Sequence, residues 1–373
     1  MRTQGVTSLE RAVWSDARPS SDSLGLNCTV TRQPTNIVFI KVHKAGSTTV
    51  SNLLARYALN HDLHIALPDL KPMGSGFHCF GAFHPDHVMS LADNQRYGVL
   101  FNHMIYNRTA LDAVMPADSF YLAIMREPVQ RFVSSAYYYQ MLKPPLRNNT
   151  NNGAFKAFIS EQNRGKLEKD MKIYNSLSHD TGLPVALHTN GDAVRRHIER
   201  LERELDLMMV LEHFLESLVL LKRRACLSLK DVIFMKGNAR QNHKIHHITP
   251  ADRTQLRQWQ SSDHAVYDHF YAKFLDLIHQ EEARGFREEL DHFRVITGKV
   301  TSYCSGRINI WDTLVVKESR WNQEFTVNTR DCQIMNMAEA TLQKLLLTRA
   351  KSRRAQAGYK ERRRRIPPWT PQC

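Results

Sequence analysis

Residues 36–60, NIVFIKVHKAGSTTVSNLLARYALN, constrain this chain more than any other stretch. Residues 36–41 are a short apolar run rich in Ile, Val and Phe, which predicts a buried strand. The run breaks into His43, Lys44, Ala45, Gly46, Ser47, Thr48 and Thr49, a turn of mostly small residues. Val50, Leu53, Leu54, Tyr57 and Ala58 then recur at helical spacing. A strand, a small-residue turn and a helix start make an anion cradle. The first N–H groups of a helix have no intrahelical acceptor, and the helix dipole favours negative charge beside them. Lys44 adds a full charge, and Thr48 or Thr49 a hydroxyl donor. The Gly-x-x-x-x-Gly-Lys-Ser/Thr pattern of nucleoside triphosphatases is absent, because the lysine precedes a single glycine. Taken alone, the turn also reads as an ordinary strand-to-helix connection with a solvated lysine, so a second site has to decide.

That second site is at residues 119–135. SFYLAIM predicts another buried strand, followed by Arg126, Glu127 and Pro128 and a helix carrying Phe132, Val133, Ala136 and Tyr137 on its apolar stripe. Arg126 ends the strand and Ser134 is two turns into the helix, a charged fork and a hydroxyl suited to a second phosphate. The plain alternative is a salt-bridged arginine and a helix serine. Residues 97–101 predict a further strand running into Asn102 and His103. A histidine just past a strand end is placed where open α/β sheets bind ligands, although most of the 18 histidines must be structural.

Residues 61–67, 207–211 and 231–235 read as three more strands, making six, and residues 154–171, 193–205, 213–224 and much of 251–298 as helices. Trp259, Tyr267, Phe270, Phe274 and Leu277 are the apolar stripe of the last region and read as core. Alternation of strands and helices predicts an α/β fold, a mainly parallel central sheet flanked by helices in three layers. Residues 342–347 belong to a last helix. The expected organisation is a stem at 1–35, one catalytic domain at 36–348 and a basic disordered tail at 349–373.

The 373-residue chain has 51 Lys and Arg against 37 Asp and Glu, a formal +14, which suits an anionic partner. Runs such as Arg362 to Arg365 concentrate that surplus near the C-terminus, so it says little about the site. None of the six cysteines forms a Cys-x-x-Cys pair, and the spacing of His78, Cys79, His84 and His87 fits no standard zinc site, so no metal is expected. Sequons occur at Asn27, Asn107 and Asn148. There is no apolar run of membrane-spanning length and no signal-peptide core.

Four blocks carry a family likeness: KVHKAGSTT, FNHMIYN, REPVQRFVSSAYYY and EHFLESLVLLKRRACLSLKDVIFMKGNAR, with the weaker NSLSHDTG at 175–182. Together they resemble the galactose 3-O-sulfotransferases, Golgi enzymes that use 3′-phosphoadenosine 5′-phosphosulfate (PAPS). The likeness spans residues 36–240 in the family's order. It implies a P-loop-like sulfotransferase fold and transfer of a sulfuryl group from PAPS to the 3-hydroxyl of galactose on a glycolipid or glycan. By the same likeness Lys44, Ala45, Gly46, Ser47, Thr48 and Thr49 would hold the 5′-phosphosulfate, with Lys44 also catalytic. Arg126 and Ser134 would hold the 3′-phosphate, His103 would be the general base, and the Arg240 loop would close over the nucleotide. No metal and no nucleic acid partner are implied. Membrane association through an N-terminal anchor is expected from the family but no such segment is visible in this sequence. The family usually has threonines at the positions of Val42 and Ala45, and an arginine at that of Ile105. A uronyl 2-O-sulfotransferase acting on a glycosaminoglycan, and a non-catalytic glycan-binding relative, remain as alternatives.

Overall fold

The buried runs that end before Lys44, His103 and Arg126 are strands of one parallel sheet and open onto their turns at the same end of it. The computed structural model describes residues 35–68, 77, 82–92, 95–141, 159, 165, 167–168, 170–235, 248–306 and 311–357. Five strands, β1 (Ile37–Ile40), β2 (His64–Ile65), β3 (Tyr97–Leu100), β4 (Phe120–Met125) and β5 (Leu207–Val210), lie side by side in the order β2-β3-β1-β4-β5. All four pairings are parallel; β1 meets β3 through Ile37↔Val99 and Val38↔Leu100, and β4 through Ile37↔Phe120 to Ile40↔Ala123. Every residue of β1, β4 and β5 is buried, as a sheet covered on both faces requires.

The connections are helical. They include α1 (Ser47–Asn60), α2 (Arg108–Asp112), α3 (Pro128–Tyr138), α4 (Ser176–Asp180), α5 (Gly191–Glu204), α6 (Phe214–Ala225) and α7 (Leu229–Val232). Then come α8 (Pro250–Trp259), α9 (Ser261–Glu282) and α10 (Phe286–Ser305), a hairpin of β6 (Thr313–Val316) and β7 (Phe325–Asn328), α11 (Thr329–Met335) and α12 (Glu339–Gln356). A disulfide between Cys304 and Cys332 ties α10 to α11. Val50, Leu53, Leu54, Tyr57 and Ala58 all face inward from α1, as their spacing predicts. The stripe of Trp259, Tyr267, Phe270 and Phe274 is core, whereas Leu277 is half-buried.

Three expectations change. The sixth strand expected at 231–235 is absent: Ser228 and Asp231 form a reciprocal capping box that starts the short helix α7 instead. Val232 and Ile233 are still buried, and a short buried apolar run does not by itself separate strand from helix. The expected strand at 61–67 shrinks to two residues. The last helix is longer than residues 342–347 and takes in Lys351, Arg353 and Arg354. Most of the expected helix at 154–171, the stem at 1–34 and the tail beyond 357 lie outside the described residues.

Buried histidines make the fold acid-sensitive. His197 on α5 accepts a hydrogen bond at Nδ1 from Arg200 at 3.0 Å, so its hydrogen is on Nε2, which meets Thr181 Oγ1 at 3.0 Å. Burial, and then the Arg200 guanidinium, lower its pKa from 6.5 to about 3. Because the folded value lies below the unfolded one, the stability this neutral imidazole contributes is present above the unfolded pKa and is lost as pH falls from 6.5 toward 3. Between pH 7.5 and 5.0 the loss from this residue should be about 2 kcal/mol. Urea unfolding at the two pH values should show it, with a smaller difference in His197→Gln; an equal difference in the variant would refute the assignment.

Candidate active site

The strand order puts β1 between β3 and β4, so the chain leaves β1 for one side and later returns to the other. Ligands of open α/β sheets bind in the crevice at such a reversal, outside the C-terminal strand ends. Lys44, His103 and Arg126 follow the C-terminal ends of these three adjacent strands. A cleft of about 1230 Å³ lies elsewhere, against Phe120, Tyr121 and Leu207 at the opposite strand ends, and none of the candidate residues lines it.

The turn after β1 is a backbone cradle more than a side-chain one. Gly46 precedes α1 with φ 77°, and no side chain caps the helix. Ser47 turns its hydroxyl inward and donates to Val42 O at 2.9 Å, so that hydroxyl is already engaged. Ala45 and Val42 are fully buried, so hydroxyls in their place would meet the core. Thr48 is exposed, and its Oγ1 donates to Glu339 Oε2 at 3.0 Å. A Cβ on Gly46 would lie 2.5 Å from Leu211 Cδ1 and force a side chain into the left-handed region. Gly46→Ala should therefore weaken binding of a phosphate-bearing ligand at this turn about tenfold by calorimetry. Adding Leu211→Ala relieves the contact but not the backbone strain, so it should recover only part; full recovery would assign the effect to packing alone.

Lys44 itself has φ 58°, a strained conformation for a residue with a side chain, at a cost on the order of 1 kcal/mol. Two parts of the second crossing hold it there. Its Nζ sits 3.4 Å from the centre of the Tyr138 ring on α3, and Arg126 Nη1 donates to its carbonyl across a long 3.4 Å. Arg126 is half-buried; burial lowers its pKa, and the Glu212 and Glu127 carboxylates oppose that shift. The N-terminus of α3 is already filled by a side chain: Glu127 accepts from Val129 N at 3.2 Å and Gln130 N at 2.8 Å. That leaves the Arg126 side chain and Ser134, half-buried on α3, as the candidate anion ligands of this crossing.

His103 lies half-buried beside β1. Its Nδ1 meets Lys41 O at 3.0 Å, and a carbonyl only accepts, so the ring hydrogen is on Nδ1 and the lone pair on Nε2. Its face stacks on His43 with centroids 4.1 Å apart and planes at 19°. His43 is fixed in turn by buried Asp180, which accepts from its backbone N at 2.8 Å and from its Nδ1 at 2.8 Å. Asp180 ends α4, whose first N–H groups, at Leu177 and Ser178, are held by Asp263 at 3.1 and 2.8 Å. Asp263 pairs with the wholly buried Arg131 at 3.4 Å, so Arg131 is a strut.

Sequence reasoning missed His43, Asp180 and Asp263 as supports. Their signal was present in part: His43 adjoins Lys44, and NSLSHDTG is a polar segment that turns out buried from Asn175 to Thr181. Arg240 lies outside the described residues, as do His78 and Cys79. Among the described residues no group of three or more His, Cys, Asp or Glu is placed to hold a metal ion, and no helix is long and apolar enough to cross a membrane.

A sequence model of galactose-3-O-sulfotransferases matches residues 8–331. The chain belongs to the galactose-3-O-sulfotransferase family. It is 32% identical over 272 residues to human galactose-3-O-sulfotransferase 2, which covers 72% of this chain and 68% of that protein. It is 33% identical over 244 residues to human galactose-3-O-sulfotransferase 3, covering 64% and 56%. Identity to human galactosylceramide sulfotransferase is 28% over 242 residues, again 64% and 56%. As a member of this family the chain is a carbohydrate sulfotransferase, and its α/β sheet is consistent with that fold.

Proposed function

We propose that the protein transfers a sulfuryl group from PAPS to the 3-hydroxyl of a galactose residue on a glycolipid or glycan, in the Golgi lumen. The observation that supports this reading is the contact between the two crossings: Arg126 Nη1 reaches Lys44 O at 3.4 Å, so the two turns proposed to hold the phosphates lie side by side. The relatives' names supply the acceptor class: galactose for two of them, galactosylceramide for the third.

The residues present fit such a donor. An uncapped α1 N-terminus, reached past a glycine with no room for a Cβ, suits one phosphate group. Arg126 and Ser134 suit the other, and the Arg240 loop is the proposed cover. The bound donor supplies the sulfuryl group and a phosphate leaving group. Lys44 and the N–H groups opening α1 stabilise the charge that grows on the bridging oxygen as the S–O bond breaks. His103 Nε2, which carries the lone pair in the tautomer that the Lys41 O contact requires, takes the proton of the attacking hydroxyl. Gripping the donor at two ends removes freedom at sulfur and aligns the attack. Preorganised donors and Lys44 carry this charge with no metal assigned a part.

A transfer assay with labelled PAPS over galactosides, heparan and dermatan chains, with the product's sulfate position mapped, tests the reading. Label on the galactose 3-oxygen is expected. Transfer only to uronic acid chains would replace the acceptor, and glycan binding without transfer would replace the activity.

A further inference from the structure

α12 begins eight residues beyond the end of the segment that matches the family, yet one face of it reaches three parts of the site at once. Its first residue, Glu339, pairs one carboxylate oxygen with Lys41 Nζ and accepts from Thr48 Oγ1 with the other at 3.0 Å. Lys41 is 1% exposed, and burial lowers its pKa while Glu339 opposes the shift. Lys41 also lends the carbonyl that sets the His103 tautomer. One turn along α12, at i+4, Gln343 donates to Asn102 Oδ1 at 2.6 Å; both side chains are buried, and Asn102 directly precedes His103. Leu342 and Leu346 seat the helix in the main core.

We propose that α12 is a working part of the active site, with Glu339 positioning the donor loop and Gln343 positioning the base. Glu339 locks the end of β1 to the first turn of α1, so the cradle keeps its shape before an anion arrives. Gln343 fixes the end of β3, and with it the direction of His103. Because they act on different strand ends, they should affect different steps. The inference rests on the PAPS reading, so its test begins with binding of 3′-phosphoadenosine 5′-phosphate by calorimetry and ends with turnover of labelled PAPS.

Glu339→Ala should weaken nucleotide binding about tenfold, and Glu339→Gln, which keeps hydrogen-bonding atoms toward Thr48 and Lys41, should restore most of it. Gln343→Met, matched in shape, should leave affinity within about twofold and lower kcat about tenfold. Leu346→Ala is the control for mere helix packing. It should lower the Tm while the folded protein keeps its affinity and its kcat. Variants of Glu339 and Gln343 that keep both affinity and kcat while the wild type binds would overturn this proposal alone. So would equal loss of affinity and kcat in all variants, in step with Tm. A wild type that fails to bind the nucleotide would overturn the donor reading and this proposal with it.

Discussion

Replacing His103 with Ala is expected to lower turnover by about 10² to 10⁴-fold, the range over which a positioned general base contributes. Affinity for 3′-phosphoadenosine 5′-phosphate should stay within about twofold of wild type, because the proposed role of the imidazole is on the acceptor's proton and not on the nucleotide. The geometry sharpens this expectation. Lys41 O holds the ring hydrogen on Nδ1, His43 fixes the ring plane, and Asp180 fixes His43. These contacts set the ring's tautomer and orientation before any reaction, as the proposed base role requires. Asp180→Asn, which keeps the shape but weakens the hold on His43, should lower kcat less than loss of His103. If His103→Ala kept most of its activity on a confirmed acceptor, the base would have to be sought elsewhere.

The second large effect is expected at Arg126. Arg126→Ala should weaken binding of 3′-phosphoadenosine 5′-phosphate roughly 30-fold, as loss of a charge-assisted hydrogen bond of roughly 2 kcal/mol implies. Binding of adenosine 5′-monophosphate should change no more than a few-fold, since that ligand lacks the group Arg126 would hold. A residual effect on both is expected from the contact with Lys44 O, which the substitution also removes. Equal losses for the two nucleotides would make Arg126 a support for the loop, and not a phosphate ligand. Calorimetry on the two ligands separates these outcomes.

The parts of the site legible in the sequence are those written in consecutive residues. A buried run that breaks at Lys44, Ala45 and Gly46 and resumes at helical spacing declares its strand, turn and helix locally, and the same holds for Met125, Arg126 and Pro128. β1, β3, β4 and β5 were readable because strands covered on both faces are continuous apolar runs. The segment at 231–235 misled for the same reason, since burial of Val232 and Ile233 looks alike in either conformation and only the Ser228–Asp231 cap decides.

What the sequence did not reveal are contacts made across long separations. Asp180 lies 137 positions from the His43 it holds, Gln343 lies 241 from Asn102, and Glu339 lies 298 from Lys41. A carboxylate or amide has no local signature of such a role, because its partner is chosen by the sheet order. Arg131 on α3 is a further case, because its partner Asp263 is likewise brought to it only by the fold.

The central claim is that two strand-to-helix crossings grip opposite ends of one nucleotide. A crystal structure with 3′-phosphoadenosine 5′-phosphate tests it most directly. The 5′-phosphate is expected against the N–H groups that open α1 beside Lys44, with the 3′-phosphate within hydrogen-bonding distance of the Arg126 guanidinium and Ser134 Oγ. A nucleotide seated with its 3′-phosphate away from Arg126, or bound outside the crevice between β1 and β4, would contradict it.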